Sequence, residues 1–339
     1  MNKFVTGNRV ATGPVAVLIV LASIAFTSST SQAQELCQET GEVSIEDIEL
    51  GAIVCRGSDV SVILPDTTFL KIPEPGNYVG RHLITADGGE TEADYAIWVS
   101  PAGAVGLSVG GNTYGLEPSS PQFASTTGLV VPASSPSSAQ GCNNSDGSLD
   151  AGKWDSTFKW WYAPRNEVST YSRNRFGSAL QTWVAGLSKC STINAYNSLV
   201  TSFMGNSSRI PSIGSDLSCP LFSDSTSVVG WKAISPNPQS AIGATCTWGT
   251  FITKAQLSEA DIVLSSNVSW YFPEETAPCS EAFDMQEVAT HEFGHAIGVG
   301  HAGSVSGQVM DNFSTICAAQ KRRLGLGDVL SLLTKYPLS

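Results

Sequence analysis

Three histidines and one glutamate carry the strongest chemical signal in this 339-residue chain. They lie in His291-Glu-Phe-Gly-His295-Ala-Ile-Gly298-Val-Gly-His301, a stretch holding three of the four histidines in the sequence. On a helix, His291 and His295 are about one turn apart and face the same way, so both imidazoles can reach one ion. Gly298 tolerates a positive φ, which lets the helix stop and the chain turn back. His301 can then approach the same ion from outside the helix. Three neutral imidazoles leave a fourth tetrahedral position for water, the arrangement of catalytic rather than structural zinc. Glu292, next to a ligand, points beside the metal and can take that water's proton. Chance gives on the order of 10⁻⁶ occurrences of such a pattern in a chain of this composition.

The elements that must position these residues are partly readable. Asp284 can N-cap the helix, Glu287 three residues on completes a capping box, and Phe283 with Val288 can form the hydrophobic staple. Ile262-Val-Leu264 reads as a buried strand. Phe158, Trp160 and Tyr162 alternate along another, which Pro164 ends. Phe176, Leu180, Trp183, Val184 and Leu187 form the stripe of an amphipathic helix. Residues 188–250 are rich in Ser, Gly and Pro, hold three cysteines, and read as a long stapled loop region. Upstream, residues 37–116 look all-β, with strands at Val60–Leu64 and Tyr95–Val99 and turns at Pro73–Gly76 and Asp87–Gly89. The stretch 117–141, nearly uncharged and rich in Ser, Pro and Ala, reads as an extended linker.

Lys3 and Arg9 precede the apolar run Val15–Phe26, and small residues follow through Ala33, the pattern of a secretory signal peptide over residues 1–33. The run is too short for a spanning helix, which needs about 20 apolar residues. An exported protein is therefore expected, with no membrane association after signal cleavage. Net charge is −12, and the first 33 residues contain two basic and no acidic side chains, so their removal deepens it to −14. That balance, without a basic cluster, argues against nucleic acid and against anionic lipid as partners. All eight cysteines lie beyond residue 33. An even number in an exported chain implies disulfides, and the lack of any CxxC spacing argues against thiolate metal sites.

The sequence HExxHxxGxxH at 291–301 is the signature of the metzincin metallopeptidases, and the chain resembles that family. Met310, in Gly307-Gln-Val-Met-Asp311, resembles the methionine of the family's Met-turn, an apolar floor beneath the metal and not a ligand. The run Phe283–His301 is most similar to the matrixin, or matrix-metalloproteinase-like, group. Weaker likenesses are Glu259–Val263, to the strand before the active-site helix, and Gly327–Tyr336, to the closing helix.

The resemblance implies an α/β (α+β) catalytic domain over residues 142–339, with a twisted sheet and an active-site helix. It is preceded by a small all-β region at 34–116 and the linker at 117–141. It implies one catalytic zinc on His291, His295 and His301, with Glu292 as general base for a zinc-activated water. The expected activity is that of a secreted zinc endopeptidase acting, as a monomer, on protein or peptide. The alternative is a secreted zinc-binding module that has lost catalysis and acts through its N-terminal β region.

The chain also departs from the matrixin pattern. Ala302 replaces the group's Ser, and Asp311-Asn312 stands where Tyr-Pro is usual. Only 13 residues separate Trp270 from Asp284, where animal matrixins insert a loop with a second zinc and calcium, so structural calcium is left without an assigned ligand. The PRCGxPD cysteine switch is absent. The family's specificity loop would fall between Met310 and Gly325, where Cys317 suggests a brace to Cys279. Residues 37–116 are either a pro-domain covering the cleft or a retained binding module. Gly106-Leu-Ser-Val-Gly110 fits the serine-hydrolase pattern but lacks its strand-to-helix context and a later spare His. Asn143–Asp150 reads as a turn, and His82 as structural.

Overall fold

The computed structural model describes residues 37–64, 69–86, 94–110, 112–117, 141–190, 195–234, 241–252, 254–274, 278–303 and 306–338. The signal-peptide expectation at 1–33 and nearly all of the linker fall outside them. In chain order the elements are β1 (Gln38–Ser44), α1 (Ile45–Glu49), β2 (Val54–Ile63), β3 (Phe69–Lys71), β4 (Asn77–Thr85), β5 (Tyr95–Val99), β6 (Val105–Val109) and β7 (Asn112–Gly115). Next come β8 (Ser148–Leu149), β9 (Gly152–Lys153), β10 (Phe158–Ala163), α2 (Ser172–Val184), β11 (Thr201–Asn206), β12 (Ser227–Lys232), β13 (Ala241–Phe251) and β14 (Ala255–Ser265). The last are β15 (Trp270–Tyr271), β16 (Phe283–Asp284), α3 (Met285–Ala296), β17 (Val299–Gly300) and α4 (Leu326–Lys335).

A mixed ten-stranded sheet runs β11-β10-β12-β14-β13-β4-β5-β6-β7, with β9 pairing β14. Strands β11, β10, β12 and β14 are mutually parallel, and β13 turns back antiparallel to β14. The far edge of β13 is taken by β4, antiparallel over Asn77–Thr85 against Ala241–Thr250. Strands from before residue 117 therefore continue the sheet that carries the helix α3.

The stapled loop region expected at 188–250 instead contains β11, β12 and most of β13. Along β13, Ala241-Ile-Gly-Ala-Thr-Cys-Thr-Trp-Gly is buried at every position. A strand covered on both faces has no polar/apolar alternation, and small residues pack there because neighbours lie close on both sides. Helix α2 forms where its stripe predicted but ends at Val184, leaving Leu187 39 % exposed beyond it. Ser108 lies inside strand β6, away from any strand-to-helix elbow.

Helix α3 is buried almost all round, which fits its weak amphipathicity and its place between sheet and α2. Phe293 is its anchor, meeting Phe158, Trp160 and Phe176 edge-on at centroid distances of 6.4, 5.8 and 6.3 Å. Four disulfides close the chain: Cys37–Cys55, Cys142–Cys190, Cys219–Cys246 and Cys279–Cys317. The last is the brace suggested by the sequence, tying the approach to α3 to the loop after Met310. No helix among the described residues is long and apolar enough to cross a membrane.

Candidate metal centre

The start of α3 is fixed from two sides. The Asp284 carboxylate accepts the Glu287 N–H at 2.9 Å and is clamped by the Arg322 guanidinium. Only this half of the expected capping box forms. Glu287 turns instead to accept the Ser314 hydroxyl at 3.1 Å and the Lys321 N–H at 3.3 Å, and burial pushes its pKa up to about 7. At the other end, Trp154 Nε1 and the Tyr336 hydroxyl donate to the carbonyls of Ala296 and Ile297, at 2.8 Å each. These bonds satisfy helix-end acceptors that would otherwise be orphaned.

Gly298 then reverses the chain at φ +84°, and its N–H donates to the His295 carbonyl at 2.8 Å. A Cβ there would stand 1.9 Å from the Gly152 carbonyl oxygen. Gly298→Ala should accordingly destabilise the fold by about 3 kcal/mol and weaken metal binding, both readable by denaturant unfolding with and without added zinc. Wild-type stability in the variant would contradict this account of the turn.

The turn brings His301 back to His291 and His295. Their three Nε2 atoms lie 3.0 Å (291–295), 3.2 Å (291–301) and 3.1 Å (295–301) apart. Each Nδ1 has its own acceptor: the Val309 carbonyl at 2.9 Å, the Val299 carbonyl at 3.0 Å, and Asp94 Oδ2 at 2.7 Å from His301. With Nδ1 donating, each Nε2 presents a lone pair to the same point, an arrangement that repels itself unless a cation sits there. Zn–N bonds of about 2.0–2.1 Å set tetrahedral ligand atoms about 3.3–3.4 Å apart, so the donor set fits zinc closely. Burial holds His291 and His295 well below the usual imidazole range. Burial pulls His301 the same way, but the Asp94 carboxylate outweighs it and the net shift is upward.

Glu292 is fully buried, and burial, with Asp94 adding to it, raises its pKa well above the carboxylate norm. Thr245 on β13 donates its hydroxyl to Glu292 Oε2 at 2.5 Å, while Oε1 has no hydrogen-bond partner among the described residues. Met310 is fully buried under α3, so close that a Cβ on Gly294 would meet its Sδ at 2.2 Å. Its turn is held by Asp328 of α4, whose carboxylate accepts the N–H groups of Val309 at 2.7 Å and Met310 at 3.1 Å.

Four further residues at the site carry no signal along the sequence. His82 of β4, read as structural, stacks flat on His295, with centroids 4.3 Å apart and planes 9° off parallel. Asp150, in a stretch read as a turn, lies 3.4 Å from His82 Nε2 and 3.6 Å from His295 Nδ1. Asp94 and Thr245 complete the set. They come from remote segments brought together by sheet pairing, which a motif of fixed spacing does not register. A surface cavity of about 980 Å³ lies on the α2 side among Trp160, Arg173, Phe203 and Arg323.

A three-histidine site on a buried helix that ends in a glycine turn, beside a mixed sheet, is compatible with a metzincin-like domain. Residues 243–336, from β13 through α4, match the family model of the matrixins, Peptidase M10, which supports a matrixin-like, metzincin-like reading of this part of the chain. No curated protein matches the chain.

Proposed function

We propose that this chain is a secreted zinc-dependent endopeptidase that hydrolyses internal bonds of protein or peptide substrates as a monomer. The observation that carries the reading is the convergence of three Nε2 atoms beside a buried glutamate, one of whose carboxylate oxygens has no partner among the described residues. Zinc on His291, His295 and His301 would supply a Lewis acid that polarises the scissile carbonyl and acidifies water toward neutral pH.

The rest is work for the chain's own groups. Backbone carbonyls and Asp94 hold the three imidazoles in the tautomer that leaves Nε2 open. Thr245 anchors Glu292 through Oε2 and leaves Oε1 to serve the reacting water. Oε1 takes the water's proton and delivers it to the leaving amine. The raised proton affinity of Glu292 suits it to hold that proton between the two steps. Met310 closes the apolar floor below. Export is supported by the four disulfides, which persist in oxidising compartments, and by the signal-like N-terminus.

The experiment is product analysis in ¹⁸O-labelled water, using an unfolded protein with the intact chain and with chain cut between residues 117 and 141. Internal cuts, each with one ¹⁸O in the new carboxyl group and each abolished by a chelator, are expected. Zinc-loaded protein that retains substrate yet yields no cut in either form would favour the binding-module alternative.

A further inference from the structure

The cavity on the α2 side holds none of the metal-centre residues. Acidic residues outnumber basic ones 30 to 18 in the chain, yet three arginines line this cavity, Arg173, Arg322 and Arg323. Among the described residues no Asp or Glu lines it. Arg322 is committed to Asp284, the N-cap of α3. Arg173 and Arg323 are exposed, and neither has an ion-pair partner among the described residues. Helix stability does not account for Arg173. It stands in the first turn of α2, where the helix dipole favours carboxylates, and that turn holds no acidic residue. Two guanidiniums without ion pairs thus share one cavity of about 980 Å³, and planar guanidinium is the group best shaped to hold a carboxylate.

The neighbouring wall is a sheet edge. Strand β11 ends the sheet on this side and, among the described residues, pairs only with β10. Phe203 of β11 lines the cavity, 46 % exposed, its ring centroid 4.6 Å from that of Trp160. Val200 and Met204 beside it are exposed as well. Charged residues or proline commonly guard such an edge, and Thr201–Asn206 has neither. An extended peptide can add there by main-chain hydrogen bonding, with alternate side chains turned to the α2 side. An acidic sugar would meet the arginines but has no use for a strand edge. An extended acidic polypeptide uses both.

We propose that the outer edge of β11 and the cavity beside it dock an extended, acidic segment of a polypeptide substrate, away from the bond that is cut. Arg173 and Arg323 hold its carboxylates, and Phe203 receives an apolar side chain. The substrate role rests on the peptidase reading, whereas the docking surface does not. Gln286, in the first turn of α3, also lines the cavity, so a chain held there is tethered beside the helix that carries His291 and His295. Tethering raises the local concentration of the rest of that chain at the metal centre. Its effect falls on KM and leaves kcat unchanged, because the contacts are the same in ground and transition states.

Binding is tested on the full-length chain carrying Glu292→Gln, so that the probe is not cut. The probe is a short fluorescein-labelled peptide of alternating Glu and Val, followed by anisotropy and by hydrogen exchange of the β11 amides. It is expected to bind, to protect β11, and to be released by added salt. Arg173→Glu with Arg323→Glu should weaken it by about tenfold or more. The same variant should gain binding of a Lys/Val peptide, a result that misfolding could not produce. Turnover is then measured on zinc-loaded chain cut between residues 117 and 141, with native Glu292. An acidic tail on an unfolded protein should lower KM in the presence of both arginines and not in the charge-reversed variant, with kcat equal throughout. Peptide binding indifferent to the two arginines would overturn the proposal, as would binding that leaves β11 unprotected. Heparin fragments held by these arginines while the peptide fails to bind would overturn it in favour of an acidic polysaccharide. A bound tail with no effect on KM would end the substrate role. Arginine-dependent binding with β11 protected, but no cleavage of any substrate, would uphold the docking surface and count against the peptidase reading instead.

Discussion

Glu292→Gln is expected to retain one zinc per chain while lowering cleavage by about 10²–10⁴-fold, the usual contribution of a positioned general base. The substitution is nearly isosteric, and Thr245 keeps an oxygen to which its hydroxyl can donate. Neither the helix nor the three Nε2 atoms has cause to move. What disappears is the capacity of Oε1 to accept a proton from water and return it to the leaving amine. The loss should fall on kcat with KM little changed, because the proton moves in the transition state and not in ground-state binding. Residual turnover within tenfold of wild type would remove Glu292 from the role assigned to it.

His295→Ala is expected to bring zinc well below one per chain and to abolish cleavage. The imidazole is fully buried, donates to the Val299 carbonyl, and supplies one of the three converging nitrogen donors. Its removal leaves two donors, too few for the closed three-nitrogen set that zinc sites of this kind use. His82→Ala is the matched control. It removes an equally large ring stacked on the same ligand, and Asp150 and His82 group with His295 closely enough to form a competing cation cluster. If the ion belongs to His291, His295 and His301, His82→Ala keeps full zinc. Because His295 belongs to both clusters, zinc loss in His82→Ala with retention in His301→Ala would move the ion to the other one. Metal analysis after gel filtration in dilute chelator reads all three variants.

How much of this was legible in the sequence follows from what each feature depends on. The helix α3 and its three histidines depend on offsets of four and six residues, so local periodicity and a glycine stop suffice to find them. Cys279–Cys317 was suggested by the family likeness and is present. The strands β11, β12 and β13 were missed because the Ser, Gly and Pro around them give the whole stretch a loop-like composition, and β13 itself is largely Ala, Gly and Thr. In β13 that composition reflects burial on both faces, which erases alternation. Only one arm of the expected capping box formed, because Ser314 and Lys321, distant in sequence, compete successfully for Glu287. Asp94 lies 207 residues before the histidine it orients, and His82 213 before the one it covers. Their positions follow from which strand edge β4 occupies, a long-range pairing that no pattern along a single chain encodes. Non-local sheet contacts are the part of a fold least visible to local reading.

Whether a zinc ion on His291, His295 and His301 serves peptide-bond hydrolysis is decided by measuring zinc content and cleavage of an unfolded protein on one sample of the chain cut between residues 117 and 141, before chelation, after it, and after zinc is restored. One zinc per chain, cleavage lost with the metal and recovered with it, is the predicted result. Cleavage that survives complete removal of zinc, or a fully zinc-loaded and accessible site that cleaves nothing, would contradict it.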